Sequence, residues 1–92
     1  MNKVVIKLFK ALSHETRVEI VKYLFSNRKE LSCQEFLDKF TLSQPTLSHH
    51  FNKLIDANIL KVRKEGTSHF YSIDRNYLKN LGIDIGKIVN ET

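Results

Sequence analysis

The stretch that most restricts how this chain can fold is TLSQPTLSHHFNKLIDANIL, residues 41–60. Ser43 can cap a helix and Pro45 fits its first turn, because the opening N–H groups of a helix have no internal partner and a missing one costs nothing. Leu47, Phe51, Leu54 and Ile55 recur at i, i+4, i+7 and i+8 and line one side, leaving Pro45, Thr46, His49, Asn52 and Lys53 on the other. A short, polar, partly basic face, on a helix reached by a tight turn from another apolar-patterned segment, suits insertion into the major groove of DNA. An ordinary amphipathic surface helix has the same pattern, so this helix alone leaves both readings open.

The flanking segments supply the rest of a fold. Val5, Leu8, Phe9 and Leu12 fall at i, i+3, i+4 and i+7, which predicts a helix over residues 2–12 with Lys3, Lys7 and Lys10 outside. Ser13 reads as the cap of a second helix, HETRVEIVKYLFSN, with Glu15 near the positive end of its dipole and Val18, Val21, Leu24 and Phe25 inward. After a polar break over residues 27–30, Ser32 reads as the cap of CQEFLDKF, which buries Phe36, Leu37 and Phe40. Beyond Asn58 the period changes to alternation, predicting strands over residues 60–64 and 69–73. They are joined across Glu65, Gly66, Thr67 and Ser68, with Gly66 supplying a positive φ. Asp74 reads as the cap of one last helix carrying Leu78, Leu81, Ile85 and Ile88, weakened by Gly82 and Gly86 by about 1 kcal/mol each. The expected fold is mostly α with a small β-hairpin, in the order α-α-α-α-β-β-α: a winged helix-turn-helix occupying residues 1–92 as a single domain.

Size and charge point to partners. A core built from 92 residues is marginal without a further surface to bury. The first and last helices each carry an apolar stripe with no evident inner partner, so Val5, Leu8, Leu78, Leu81, Ile85 and Ile88 are expected to form a homodimer interface. A formal charge of +5 favours polyanions. Lysines interrupt the N-terminal apolar residues, which leaves no signal-peptide core or membrane span and predicts a cytoplasmic protein with no membrane partner. Cys33, the one cysteine, can form neither an internal disulfide nor a cysteine-cluster metal site within a protomer. Paired carboxylates, a nucleophile with its base, a phosphate-cradling Gly loop and a metal set are all missing, so no catalytic residue, cofactor or enzyme activity is expected.

Three motifs in order, ALSHETR, LSQPTLSHHFNKL and RKEGTSHFYSID, resemble the ArsR/SmtB family of dimeric winged helix-turn-helix repressors, from about Leu8 to Asp74. The resemblance implies a sequence-specific regulator of double-stranded operator DNA, with the start of the recognition helix, here Gln44, Thr46, Ser48 and His49, reading bases. The chemistry of these side chains suits base reading, since Gln pairs bidentately with adenine, hydroxyls donate or accept, and the Thr methyl meets a thymine methyl. Pro45 departs from the small serine often found there and offers only shape contact. Lys53, Lys61, Arg63 and Lys64 are expected to supply phosphate charge, and Thr67 and Ser68 at the wing tip to reach the backbone or minor groove. His50, a quarter turn from the apolar stripe, is left open between a packed role and DNA contact; His14 and His69 read as structural or solvated.

The sensor sites that the resemblance implies are not matched. The arsenic and cadmium type uses a Cys-x-Cys pair where this chain has LSCQEF, with a single thiol. The zinc type uses an Asp-x-His pair that falls here on Arg75 and Tyr77, and a second pair that falls on Ile88 and Glu91, of which only Glu91 can ligate. The expected trigger is therefore an unknown protein or small-molecule effector, or concentration alone. Two alternatives remain at this level: a metal-responsive repressor using a non-standard site, such as His14 or His69 with carboxylates, and a winged-helix module for protein contact.

Overall fold

The computed structural model describes residues 3–27 and 30–90, the last by its backbone alone; the expectations that fall on Asn2, Arg28, Lys29 and Glu91 lie outside these residues. The chain runs α1 (Lys3–Ala11), α2 (Glu15–Asn27), β1 (Leu31–Ser32), α3 (Cys33–Lys39), α4 (Gln44–Asp56), β2 (Leu60–Glu65), β3 (Ser68–Ile73), α5 (Arg75–Asn80) and α6 (Ile85–Asn90). The mostly α, winged arrangement expected from the sequence is the one observed, with two additions.

The first is β1, which the sequence reading missed. Leu31 and Ser32 pair antiparallel with Tyr71 and Phe70, so the hairpin of β2 and β3 becomes a three-stranded sheet in the order β1-β3-β2. A two-residue strand has too little alternation to be read locally. The second is at the C-terminus, where the single last helix is in fact two. Gly82, at φ 76°, turns the chain after α5, the Ile83 N–H returns to the Leu78 carbonyl at 2.9 Å, and the Asp84 carboxylate accepts the Lys87 N–H to open α6. A left-handed residue cannot continue a right-handed helix, and glycine occupies that conformation without a Cβ penalty.

Local hydrogen bonds fix the ends of the elements. Ser32 forms a reciprocal capping box with Glu35, and Ser43 and Asp74 accept the N–H groups of Thr46 and Tyr77, as their positions lead one to expect. Ser13 does not cap α2. Its hydroxyl donates back to the Lys10 carbonyl at 2.7 Å, and His14 takes the capping role, with Nδ1 accepting the Thr16 N–H. Asn58, at φ 60°, ends the turn after α4 and delivers the chain to β2.

The core gathers Ile20, Val21 and Leu24 of α2, Phe36 of α3, Leu47, Phe51 and Leu54 of α4, Ile59, Leu60, Leu78 and Val89. Ile20 belongs with the inward residues of α2, whereas Val18 and Phe25 are only partly buried. At its centre Phe51 stacks on Tyr71 at 3.9 Å between ring centroids and meets Phe36 edge-on at 4.9 Å. These rings join α3, α4 and β3, and each contact contributes about 0.5–1.5 kcal/mol beyond area burial.

Candidate nucleic-acid interface

On α4 the buried residues Leu47, His50, Phe51 and Leu54 face the core, and Gln44, Pro45, Thr46, His49, Asn52 and Lys53 are exposed; Ser48 is half-buried at the border. The cap also orients part of the exposed face. Ser43 accepts the Thr46 N–H and donates its own proton to Thr46 Oγ1 at 2.9 Å, so the Thr46 hydroxyl has its hydrogen free for an outside acceptor.

Opposite the start of α4 stands the tip of the hairpin. Gln44 and Ser48 share a cleft of about 390 Å³ with Thr67 and Ser68, so four of the residues singled out from the sequence are brought together. Ser32, Cys33, Gln34, His69 and Tyr71 also line it and were not foreseen as a group, because the start of α3 reaches this place only through tertiary packing. The cleft is lined by hydroxyls and amides, groups that donate to phosphate oxygens or pair with base edges.

The wing's cations divide by strand alternation. In the β2–β3 register Lys64 stands opposite His69, a cleft-lining residue, whereas Arg63 stands opposite Phe70 on the other face. Arg63, expected to supply phosphate charge, is paired with carboxylates in this structure. Its guanidinium is engaged by Glu30 at 2.9–3.1 Å and by Glu65, and lies 4.6 Å from the centroid of the Phe70 ring. The hydrogen bond with Arg63 holds the Glu30 carboxyl below the usual carboxylate range, and the two carboxylates raise the guanidinium further. Lys61, Lys64 and Lys53 have no ion pair among the described residues.

His50 is packed, not presented: it is 6% exposed, its ring centroid lies 4.6 Å from that of His14, and its Nδ1 has no hydrogen-bond partner among the described residues. Burial, and then the charges of His14, Arg17 and His49, lower its pKa. Burial likewise pushes the Cys33 thiol up, away from the thiolate that soft metals bind. Among the described residues no three His, Cys, Asp or Glu side chains gather closely enough to hold a metal ion, and Arg75 lies over the Phe25 ring. No described helix is long and apolar enough to cross a membrane.

The residues expected at a dimer interface are not equally available. Leu8, Leu78 and Ile85 are buried within the protomer and Val5 is partly buried, because α1 and the two C-terminal helices close over the core. Among the described residues the large exposed apolar side chains are Ile6 (41%), Phe9 (67%), Leu81 (42%) and Ile88 (48%).

A capped helix with a polar outer stripe, held across a cleft from a basic-tipped hairpin, defines a winged helix-turn-helix of the DNA-binding class. Residues 12–63 match the family described as Helix-turn-helix domain. The chain is 41% identical over 85 residues to an HTH-type transcriptional regulator of Methanocaldococcus jannaschii, covering 92% of this chain and 90% of that one. It is 38% identical over 80 residues to the arsenical resistance operon repressor of Staphylococcus xylosus, covering 85% and 75%. Among solved structures, HlyU from Vibrio cholerae superposes with a TM-score of 0.73 at 31% identity, over 88% of this chain and 89% of that one. The chain belongs to the ArsR-type family of helix-turn-helix transcriptional regulators, which are DNA-binding proteins and not enzymes.

Proposed function

We propose that the protein is a homodimeric, cytoplasmic repressor that occludes a promoter by binding a double-stranded operator, and that its release does not depend on a metal. Gln44, Thr46, Ser48 and His49 read base edges, while Lys53, Lys64, Thr67 and Ser68 hold the backbone. The observation that carries this reading is that Gln44 and Ser48, at the start of the polar side of α4, face the hydroxyl-rich wing across one cleft while the other side of α4 is fixed in the core. Repression is inferred from relatives such as the arsenical resistance operon repressor. Dimerisation is supported by the exposed apolar residues Ile6 and Phe9 of α1, Leu81 at the end of α5 and Ile88 of α6. The single half-buried thiol at Cys33, and the Arg and Tyr at positions 75 and 77, support a trigger other than arsenic or zinc.

Selection of bound fragments from the source genome, followed by footprinting, tests the function. A recurring inverted repeat, protected on both half-sites and overlapping a promoter, is expected. Equal binding to all fragments, or none that weakens with salt, would favour a protein-contact module instead.

A further inference from the structure

The α4 stripe does not end with the residues that face the wing cleft. Thr46, His49, Lys53 and Asp56 follow one another at i, i+3, i+7 and i+10, so they lie along one exposed side of the helix. At the far end of that side, α1, α2 and α4 enclose a recess of about 180 Å³ lined by Lys7, Lys10, Arg17, Lys53 and Asp56 and floored by the small residues Ala11 and Ala57. Four cations thus meet one carboxylate. Asp56 is 3.3 Å from the Lys7 ammonium, which leaves Lys10, Arg17 and Lys53 without an acidic partner among the described residues. Arg17 is held in place: its Nε donates to the Ala11 carbonyl at 2.7 Å, and no other partner takes its remaining N–H groups among the described residues.

Like charges gathered around a recess repel one another, and an anion seated among them removes that cost. We infer that this recess binds a phosphate oxyanion, and that its occupant is a backbone phosphate of the bound DNA, at the end of the recognition helix away from the wing. The spacing supports that occupant. At 1.5 Å per residue Lys53 lies about 10 Å along the axis from Thr46, close to the major-groove width of about 12 Å. A helix whose opening turns touch base edges therefore brings Lys53 to the phosphate wall of the groove. The recess gives the protein a second backbone anchor, with Lys10 and Arg17 contributed by helices outside the helix-turn-helix hairpin and wing tip. This rests on the DNA-binding reading and adds to it Lys10 and Arg17, for which the sequence suggested no DNA contact.

The test uses a random-sequence duplex, because a backbone contact is independent of sequence, and reads affinity by fluorescence anisotropy across a range of salt. Lys10 is exposed and unpaired, so Lys10→Gln should keep the wild-type melting temperature while flattening the log affinity against log salt line by about 0.9 per subunit. Asp56→Asn should act in the opposite sense, with tighter binding to any duplex. A separate arm titrates inorganic phosphate alone, followed by NMR shifts of the α1 and α4 amides. If Lys10→Gln leaves the slope unchanged while Lys64→Ala reduces it, the recess is not an anchor, though the protein still binds DNA. Saturation of the recess by free phosphate, with an unchanged DNA slope in Lys10→Gln, would also overturn the assignment and point to a small phosphorylated ligand. Absence of any salt-dependent DNA binding by the wild type would remove both this inference and the reading beneath it.

Discussion

The Arg63 guanidinium and the Glu30 carboxylate, 33 residues apart in the chain, meet face to face across β3 with an Nη2 to Oε1 distance of 2.9 Å. The pair lies on the sheet face away from the cleft, with Phe70 beneath the guanidinium, and it removes one cation from the wing's apparent charge. Arg63→Ala should therefore leave the salt dependence of DNA binding almost unchanged, whereas Lys64→Ala should lower the slope by about one unit per subunit. Anisotropy titrations of both variants on random DNA check this; a loss of slope in Arg63→Ala would mean that the ion pair opens on DNA.

Specificity and affinity separate along α4. Gln44→Ala or His49→Ala should cost roughly 1–3 kcal/mol on the selected operator and little on random DNA. Competition between the two duplexes gives the ratio. Equal weakening on both would make the wing the reader and the start of α4 only a support.

The burial pattern predicts that substitutions in the last two helices have two distinct outcomes. Ile88 and Leu81 are about half exposed, so Ile88→Asp or Leu81→Asp should yield a folded monomer with weakened operator binding. Ile85 is buried within the protomer, and an unpaired carboxylate there should unfold it. Sedimentation with far-UV circular dichroism distinguishes the cases. A dimeric Ile88→Asp/Leu81→Asp double variant would place the interface elsewhere.

His50 links the recognition helix to acidity. Its folded-state pKa is lowered, first by burial and then by His14, Arg17 and His49, so folding favours the neutral ring. That contribution is fully present above the ordinary histidine pKa, about 6.5, and is lost as the pH falls through the lower folded value. Thermal unfolding should show His50→Leu losing less stability than wild type between neutral and mildly acidic pH. Identical losses would place the acid sensitivity elsewhere.

Neither zinc nor arsenite should change DNA affinity by more than about 1 kcal/mol, the lower end of ordinary allosteric coupling. Titration of each ion into the protein–DNA complex, with a chelator or thiol control, checks this. Release by either ion would place a sensor among residues that the local motifs do not mark.

What the sequence determined by itself was decided within a few residues. Ser32, Ser43 and Asp74 cap their helices through bonds three positions long, Gly66 turns the hairpin at φ 61°, and the apolar period of α4 separates a core side from an outer side. Such features depend on neighbours along the chain, so the winged fold and the polar stripe could be read directly. Features decided through space could not. Nothing near Arg63 in the sequence announces Glu30, the start of α3 joins the wing cleft through the pairing of β1 with β3 and the packing of Phe36 against Phe51 and Tyr71, and an apolar stripe does not say whether its own protomer will cover it. Leu8, Leu78 and Ile85 went into the core, Ile6, Phe9, Leu81 and Ile88 stayed outside, and Lys7, Lys10, Arg17 and Lys53 came together from three helices. Periodicity assigns a residue to a face, whereas only the packing of one element on another assigns that face a neighbour.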